Sequence, residues 1–232
     1  TSPIILANDY EPKTPNIESK TLKNIKTLSD YLCGIKINFH LLLQLDKKQI
    51  FKINKAAHNY GLQCIADIKL NDIGNTNFIT TENLWNMGFD AVIVNPIMGK
   101  KSLKNLVEFS HKKNKGVISL CHMSAPEAKL SYEIEIKNRS KNKQLYQLFL
   151  NWALSANADG IIVGATYPKI ISYCKKSVRG KLALFSPGVG TQGGSPSKAK
   201  KFGSDYLIVG RTILNSKNPL QTTKDLVSDS LI

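Results

Sequence analysis

The sequence predicts a single-domain α/β protein, a closed (β/α)8 barrel spanning residues 1–232, and three observations lead there. Eight short β-branched runs recur along the chain. Each is followed by a longer mixed segment whose apolar residues repeat at helical spacing, the pattern of βα units. Eight such units close more naturally into a barrel than into an open sheet, and no GxGxxG follows the first run to support a dinucleotide-binding sheet. A length of 232 residues with 42% hydrophobic content suits one large core of this kind.

Taken in order, the strands are predicted at 4–8, 34–37, 63–68, 91–95, 116–120, 160–164, 182–186 and 206–210. The helices between and after them are predicted at 19–32, 46–60, 75–87, 101–113, 143–157, 168–176, 197–202 and 218–228. Asp46 is placed to cap the second helix, and Gly61 and Gly88 follow the second and third as C-terminal stops. Residues 121–141 are long for a connection, so they should form a loop over the barrel mouth or a short added helix.

The formal charge of +15 raises the question of nucleic acid, because a basic surface attracts polyanions without regard to sequence. The lysines argue otherwise. They are spread over nearly every predicted helix, with no aromatic-interleaved stripe or nucleic-acid motif beside them, so solvated helix faces and a small phosphorylated substrate account for them better. No apolar run approaches a membrane span, and residues 1–9 lack a basic segment followed by a long apolar one, so a cytoplasmic protein without a secretory signal is expected. Cys33, Cys64, Cys121 and Cys174 form no CxxC pair, and the four histidines lack metal-ligand spacing. Reduced thiols and no transition metal are the expectation.

In such a barrel the reactive groups sit where strands end. The third strand ends Asp67-Ile68-Lys69-Leu70-Asn71-Asp72, and strand alternation puts Asp67 and Lys69 on one face with Ile68 on the other. A structural ion pair would explain an isolated Asp-x-Lys. With Asp72 following and Lys36 ending the neighbouring strand, an alternating Lys-Asp-Lys-Asp set is better read as a device for handling charge and a proton. After the seventh strand comes Ser186-Pro187-Gly188-Val189-Gly190-Thr191-Gln192-Gly193-Gly194, whose glycines allow backbone N–H groups close to an anion. Such loops also occur as plain turns. Gly210-Arg211, after the eighth strand, adds a donor and a guanidinium, and the seventh and eighth loops are the usual phosphate site of the fold.

These motifs, with Asp72-Ile73-Gly74-Asn75-Thr76, resemble the orotidine 5'-monophosphate decarboxylase family over nearly the whole chain. Leu6-Ala7-Asn8-Asp9, Gly34-Ile35-Lys36 and His122-Met123-Ser124 fall where the family carries its ribose-binding Asp, its network Lys and its pyrimidine-contacting Ser. Asn8, Asn95, Thr191 and Ala125 depart from the common pattern, which leaves the detail of the pyrimidine loop open. The resemblance implies cofactor-free loss of CO2 from orotidine 5'-monophosphate to give UMP, with Lys69 protonating C6 and Asp67, Asp72 and Lys36 completing its charge network. It implies that Asp9, Ile73, Thr76, Ser124, Pro187, Val189, Gly190, Gln192, Gly210 and Arg211 bind the nucleotide, with 190–197 closing over the phosphate. It further implies a homodimer in which Asp72 and Thr76 serve the neighbouring subunit's site. The alternative is a Mg2+-dependent 3-hexulose-6-phosphate synthase or 3-keto-L-gulonate 6-phosphate decarboxylase, which share the Asp-x-Lys-x-x-Asp element.

Overall fold

Strands that face side chains on one side and helices on the other should be apolar throughout, and Ile4–Asn8 is buried at all five positions. The computed structural model, which describes residues 2–11, 13–137 and 142–231, closes eight parallel strands into a barrel in chain order. They are β1 Ile4–Asn8, β2 Gly34–Asn38, β3 Gln63–Leu70, β4 Ala91–Val94, β5 Gly116–His122, β6 Gly160–Val163, β7 Ala183–Pro187 and β8 Tyr206–Val209. β8 pairs back onto β1. The principal helices are α1 Ile17–Leu28, α2 Lys47–Asn59, α3 Gly74–Asn86, α4 Lys100–His111, α5 Leu145–Ala156, α6 Pro168–Val178, α7 Pro196–Phe202 and α8 Pro219–Asp229.

Local chemistry explains several boundaries. Asp46 accepts from the Gln49 N–H at 2.8 Å while the Gln49 side chain accepts from the Asp46 N–H at 2.9 Å, a complete capping box at the start of α2. Gly61 and Gly88 take positive φ just after α2 and α3, as expected of helix stops. Most differences from the expected boundaries are one or two residues at element ends, and three are informative. The first helix ends at Leu28 and continues as a 3-10 turn over Ser29–Tyr31, and β3 runs on to Leu70 past an irregularity described below. Lys143–Gln144, expected to open the fifth helix, instead pairs as a strand with Glu135–Ile136, and the helix starts at Leu145. The segment after β5 contains a short helix, Ala128–Ser131, and this hairpin; its residues 138–141 lie outside the described ones.

At the bottom of the barrel, opposite the strand C-termini, one arrangement repeats three times. Asp90, Asp159 and Asp205 immediately precede β4, β6 and β8. Each carboxylate accepts the N–H of the second residue of the preceding strand: Cys64 at 2.8 Å, Val117 at 2.7 Å and Leu184 at 2.9 Å. Each also receives a basic side chain from the helix before that strand, His58, His111 and Lys175 respectively. In sequence the repeat reads Asp-x-apolar-Ile-Val at all three places, a periodicity that strand-by-strand reading passes over. Before β2 the place is taken by Cys33, whose thiol donates to the Ile4 carbonyl.

Several buried polar atoms lack a partner among the described residues, and Asn8, 1% exposed, stands out because both polar atoms of its amide do. Leaving such groups unpaired costs about 1–3 kcal/mol. Replacement by the similarly shaped Leu is expected to raise the thermal midpoint by about 2–4 °C per kcal/mol recovered. A calorimetric scan in which Asn8→Leu melts lower than the parent would show that the amide is satisfied.

Candidate active site

Parity along β2 and β3 sends Lys36, Asn38 and Asp67 inward, and the β2–β3 register sets Asn38 beside Asp67. Lys36 is 4% exposed and its ammonium donates to Asp67 Oδ2 at 2.6 Å. Lys69 donates to the other oxygen, Oδ1, at 2.9 Å. One carboxylate thus holds two ammonium groups, and the two differ in surroundings. Lys36 is buried in the cavity wall, whereas the Lys69 side chain is 42% exposed and reaches into the cavity.

Alternation alone does not bring Lys69 there. The β3–β4 register shifts between Asp67 and Leu70, and Lys69 takes φ 45°, in the left-handed region where a side chain costs about 1–3 kcal/mol. The ladder resumes beyond it, with the Asn95 N–H donating to the Leu70 carbonyl at 2.8 Å. The bulge turns the lysine to face the carboxylate two residues earlier, and the ion pair at the cavity compensates the backbone cost.

Burial alone would raise the Asp67 pKa, but the ammonium groups of Lys36 and Lys69 outweigh it and hold the carboxyl below its ordinary value. Burial pulls Lys36 down, opposed by Asp67. The cluster extends sideways. Lys36 also donates to Asn38 Oδ1, the Asn38 Nδ2 group donates to Asp9 Oδ1 at 2.8 Å, and Arg211 Nε lies 4.0 Å from Asp9 Oδ2.

The opposite wall is glycine-rich. Gly188–Gly194 folds on itself through Gly190 N–H to the Gly194 carbonyl at 2.8 Å and Gly194 N–H to the Gly188 carbonyl at 3.0 Å. Gly190 has φ 77°, and a Cβ there would sit 2.2 Å from Thr212 Oγ1, so only glycine fits. That Thr212 hydroxyl accepts from the Thr191 N–H at 3.0 Å and donates to the Val189 carbonyl at 3.3 Å, pinning the loop to the turn of helix Arg211–Leu214. Ser124 is held by close backbone approach: a Cβ on Gly164 would fall 2.5 Å from its Cα. Beneath it the buried His122, its pKa lowered by burial, donates from Nδ1 to the Met123 carbonyl at 2.8 Å.

Of the sequence-predicted residues, the cavity brings together Asp9, Lys36, Asp67 and Lys69 on one side. Ser124, Pro187, Val189, Gln192, Gly210 and Arg211 line the other, with Gly190 shaping the loop behind. Asp72, Ile73 and Thr76 do not line it. They are exposed, and the Asp72 carboxylate accepts the Ile73 N–H at 2.7 Å rather than joining the lysines. Within one chain the cluster is therefore Lys36-Asp67-Lys69 without Asp72, because the chain leaves the barrel rim after Leu70. Asn38 and Thr212 were missed; Asn38 shares the inward parity of Lys36 and was accessible to that rule, whereas Thr212 gives no signal before the loops are folded.

His58, Cys64 and Asp90 have potential ligand atoms within 4.8 Å of one another, a grouping that sequence spacing does not reveal. Its chemistry does not suit a cation. Lys115 Nζ lies 3.3 Å from Asp90, and burial pushes the Cys64 thiol far up. The equivalent His111–Asp159 pair is made with Val117 in place of Cys64, so the pairing is part of the strand repeat.

A closed barrel whose mouth sets a lysine–carboxylate cluster against a self-bonded glycine loop and an arginine defines an anion-handling β/α-barrel enzyme. The chain belongs to the orotidine 5'-phosphate decarboxylase / HUMPS family, whose model matches residues 2–226. It is 31% identical over 227 residues to the orotidine 5'-phosphate decarboxylase of Pyrococcus furiosus, covering 97% of this chain and 96% of that protein. The crystal structure of orotidine 5'-phosphate decarboxylase from Pyrococcus horikoshii superposes with a TM-score of 0.79 at 30% identity, covering 99% of each chain. That of the Methanocaldococcus jannaschii enzyme, complexed with the inhibitor BMP, gives 0.81 at 27% identity, covering 97% of this chain and 98% of that one.

Asp67 yields a prediction with a defined sign. A carboxyl whose folded pKa lies below its ordinary 3.8 adds stability above that value and loses it as pH falls through the folded value. Asp67→Asn leaves Lys36 buried without a counter-charge and is expected to cost about 3–5 kcal/mol at pH 7. In urea titrations the gap to the parent should be constant from pH 8 to 5 and shrink below about 4. A pH-independent gap would contradict the ion-pair account.

Proposed function

We propose that this chain is an orotidine 5'-phosphate decarboxylase, a carboxy-lyase that converts orotidine 5'-monophosphate to UMP and CO2 in pyrimidine biosynthesis without metal or organic cofactor. The observation that carries this reading is the division of labour around Asp67: one lysine buried as its anchor, the other presented to the cavity. Loss of CO2 from C6 leaves a carbanion, and a fixed cation beside it stabilises the charge without reorganisation. The Lys69 ammonium is that cation and donates the proton to C6, while Asp67 and Lys36 of the same chain and the Asp72 of a second copy keep it charged and oriented.

The nucleotide lies across the mouth. Asp9 binds a ribose hydroxyl, Ser124 and Pro187 meet the pyrimidine, and Val189, Gly190, Gln192, Gly210 and Arg211 hold the phosphate. Phosphate binding remote from the reacting carbon then contributes to rate as well as affinity. The Mg2+-dependent reading is less well supported: both Asp67 oxygens already accept from ammonium groups, and Asp9 Oδ1 accepts from Asn38, which leaves the acidic groups engaged.

The whole chain, 1–232, acts as one decarboxylase domain and pairs into a homodimer in which Asp72, Ile73 and Thr76 complete the neighbour's site. The exposure of Ile73 at 73%, with Phe39, Leu43, Ile79 and Ile97 also exposed, supports an apolar contact there. No helix among the described residues is long and apolar enough to cross a membrane, in keeping with a cytoplasmic enzyme. Neither a membrane nor nucleic acid is a partner in this reading.

The test is an ultraviolet assay for loss of orotidine 5'-monophosphate in excess chelator. Undiminished turnover is expected, and activity abolished by the chelator would favour the Mg2+ enzymes. Lys69→Ala should lower kcat by at least about 10^3-fold with the fold retained, and Arg211→Ala should lower kcat/KM by about 10^2-fold or more. Sedimentation should show a dimer, and a fully active monomer would remove the shared site.

A further inference from the structure

The Asp67 cluster and the Asp9–Arg211 pair both line the cavity, and a single uncharged side chain joins them. Asn38 ends β2, two residues beyond Lys36 and on the same face. Its carbonyl oxygen accepts from the Lys36 ammonium, and its Nδ2 group donates to Asp9 Oδ1 at 2.8 Å. The amide can sit only one way round, because a flip would set its NH2 against an ammonium and its oxygen against a carboxylate. Neither Asp nor an apolar residue can replace it. An Asp in its place would still accept from Lys36 but would confront Asp9 with a second carboxylate, and an Ala would leave both neighbours without that bond.

We propose that Asn38 is a positioning residue of this enzyme: its amide holds the Asp9 carboxylate toward the sugar of the nucleotide while giving Lys36 a neutral second acceptor, tying the sugar end of the site to the charge cluster. This rests on the decarboxylase reading above. Asn38 acts through Asp9 and Lys36 and performs no proton transfer. Its polarity matters more than its size, which separates positioning from packing. The charged or titratable groups around the bridge are Lys36, Asp67 and Lys69 on one side and Asp9, His40 and Arg211 on the other, with His40 Nε2 4.0 Å from Asp9.

The experiment compares Asn38→Ala, Asn38→Asp, Asp9→Ala and the double variant Asn38→Ala/Asp9→Ala, using kcat and KM for orotidine 5'-monophosphate from pH 5 to 8 and calorimetric binding of UMP. Asn38→Ala is expected to lower kcat/KM by about tenfold, the loss of one hydrogen bond to a charged group. The same-sized Asn38→Asp should be worse than Ala at pH 8. Relative to the parent it should recover toward pH 5, where a proton shared between the facing carboxyls restores the bridge. The double variant should lose no more than the worse single one, since both substitutions break the same link. UMP affinity should fall in parallel with kcat/KM.

An Asp variant milder than Ala at every pH, or single losses that multiply in the double variant, would overturn the positioning role and leave only packing. A parent enzyme that binds UMP but does not turn over orotidine 5'-monophosphate overturns the decarboxylase reading instead. UMP affinity indifferent to Asn38→Asp overturns the bridge even in a fully active enzyme.

Discussion

A carboxylate that must neutralise two ammonium groups at once governs the upper half of this barrel. Asp67 sits where its two oxygens point in different directions, one down to Lys36 and one across to Lys69. Buried charge is tolerated only when paired, so Lys36 requires Asp67 to stay ionised, and the net positive charge left over resides on the lysine nearest the cavity. The left-handed turn at Lys69 follows from the same demand. A regular strand would carry the lysine past its partner, and the bulge folds it back.

The glycine wall answers this with preorganisation. A loop meant to close over an anion could be long and loose, but here Gly188–Gly194 bonds to itself and is fastened by Thr212. Most of its backbone donors are therefore committed to shape, and the Gln192 and Arg211 side chains remain facing the cavity. An Ala in place of Thr191 would lack the hydroxyl contact to Thr212 but keep the backbone one.

Much of this was legible in the sequence. The eight strands could be counted because parallel barrel strands are short, apolar on both faces and followed by amphipathic helices, and the errors lie at ends, where hydrogen bonds rather than composition decide. Lys143–Gln144 is an instance: two polar residues adjoining a helical pattern read as its first turn until the preceding short strand, Glu135–Ile136, pairs with them. At the site, Asp67, Lys69 and Lys36 were legible from alternation, although the bulge that joins the first two was not. Asp72 illustrates the limit. Proximity in sequence placed it with the cluster, but the chain direction after Leu70 carries it outside its own cavity.

The aspartates before β4, β6 and β8 lie far from all of this, and their repetition has a consequence for how the molecule tolerates change. Each fastens two consecutive strands and the helix that precedes the first of them at the end remote from the cavity. Adjacent strand pairs are thereby stitched as modules whose cohesion owes nothing to the residues at the mouth. A barrel assembled from such modules can accumulate substitutions, insertions or a contorted backbone at its reactive rim while its foundation keeps the same register.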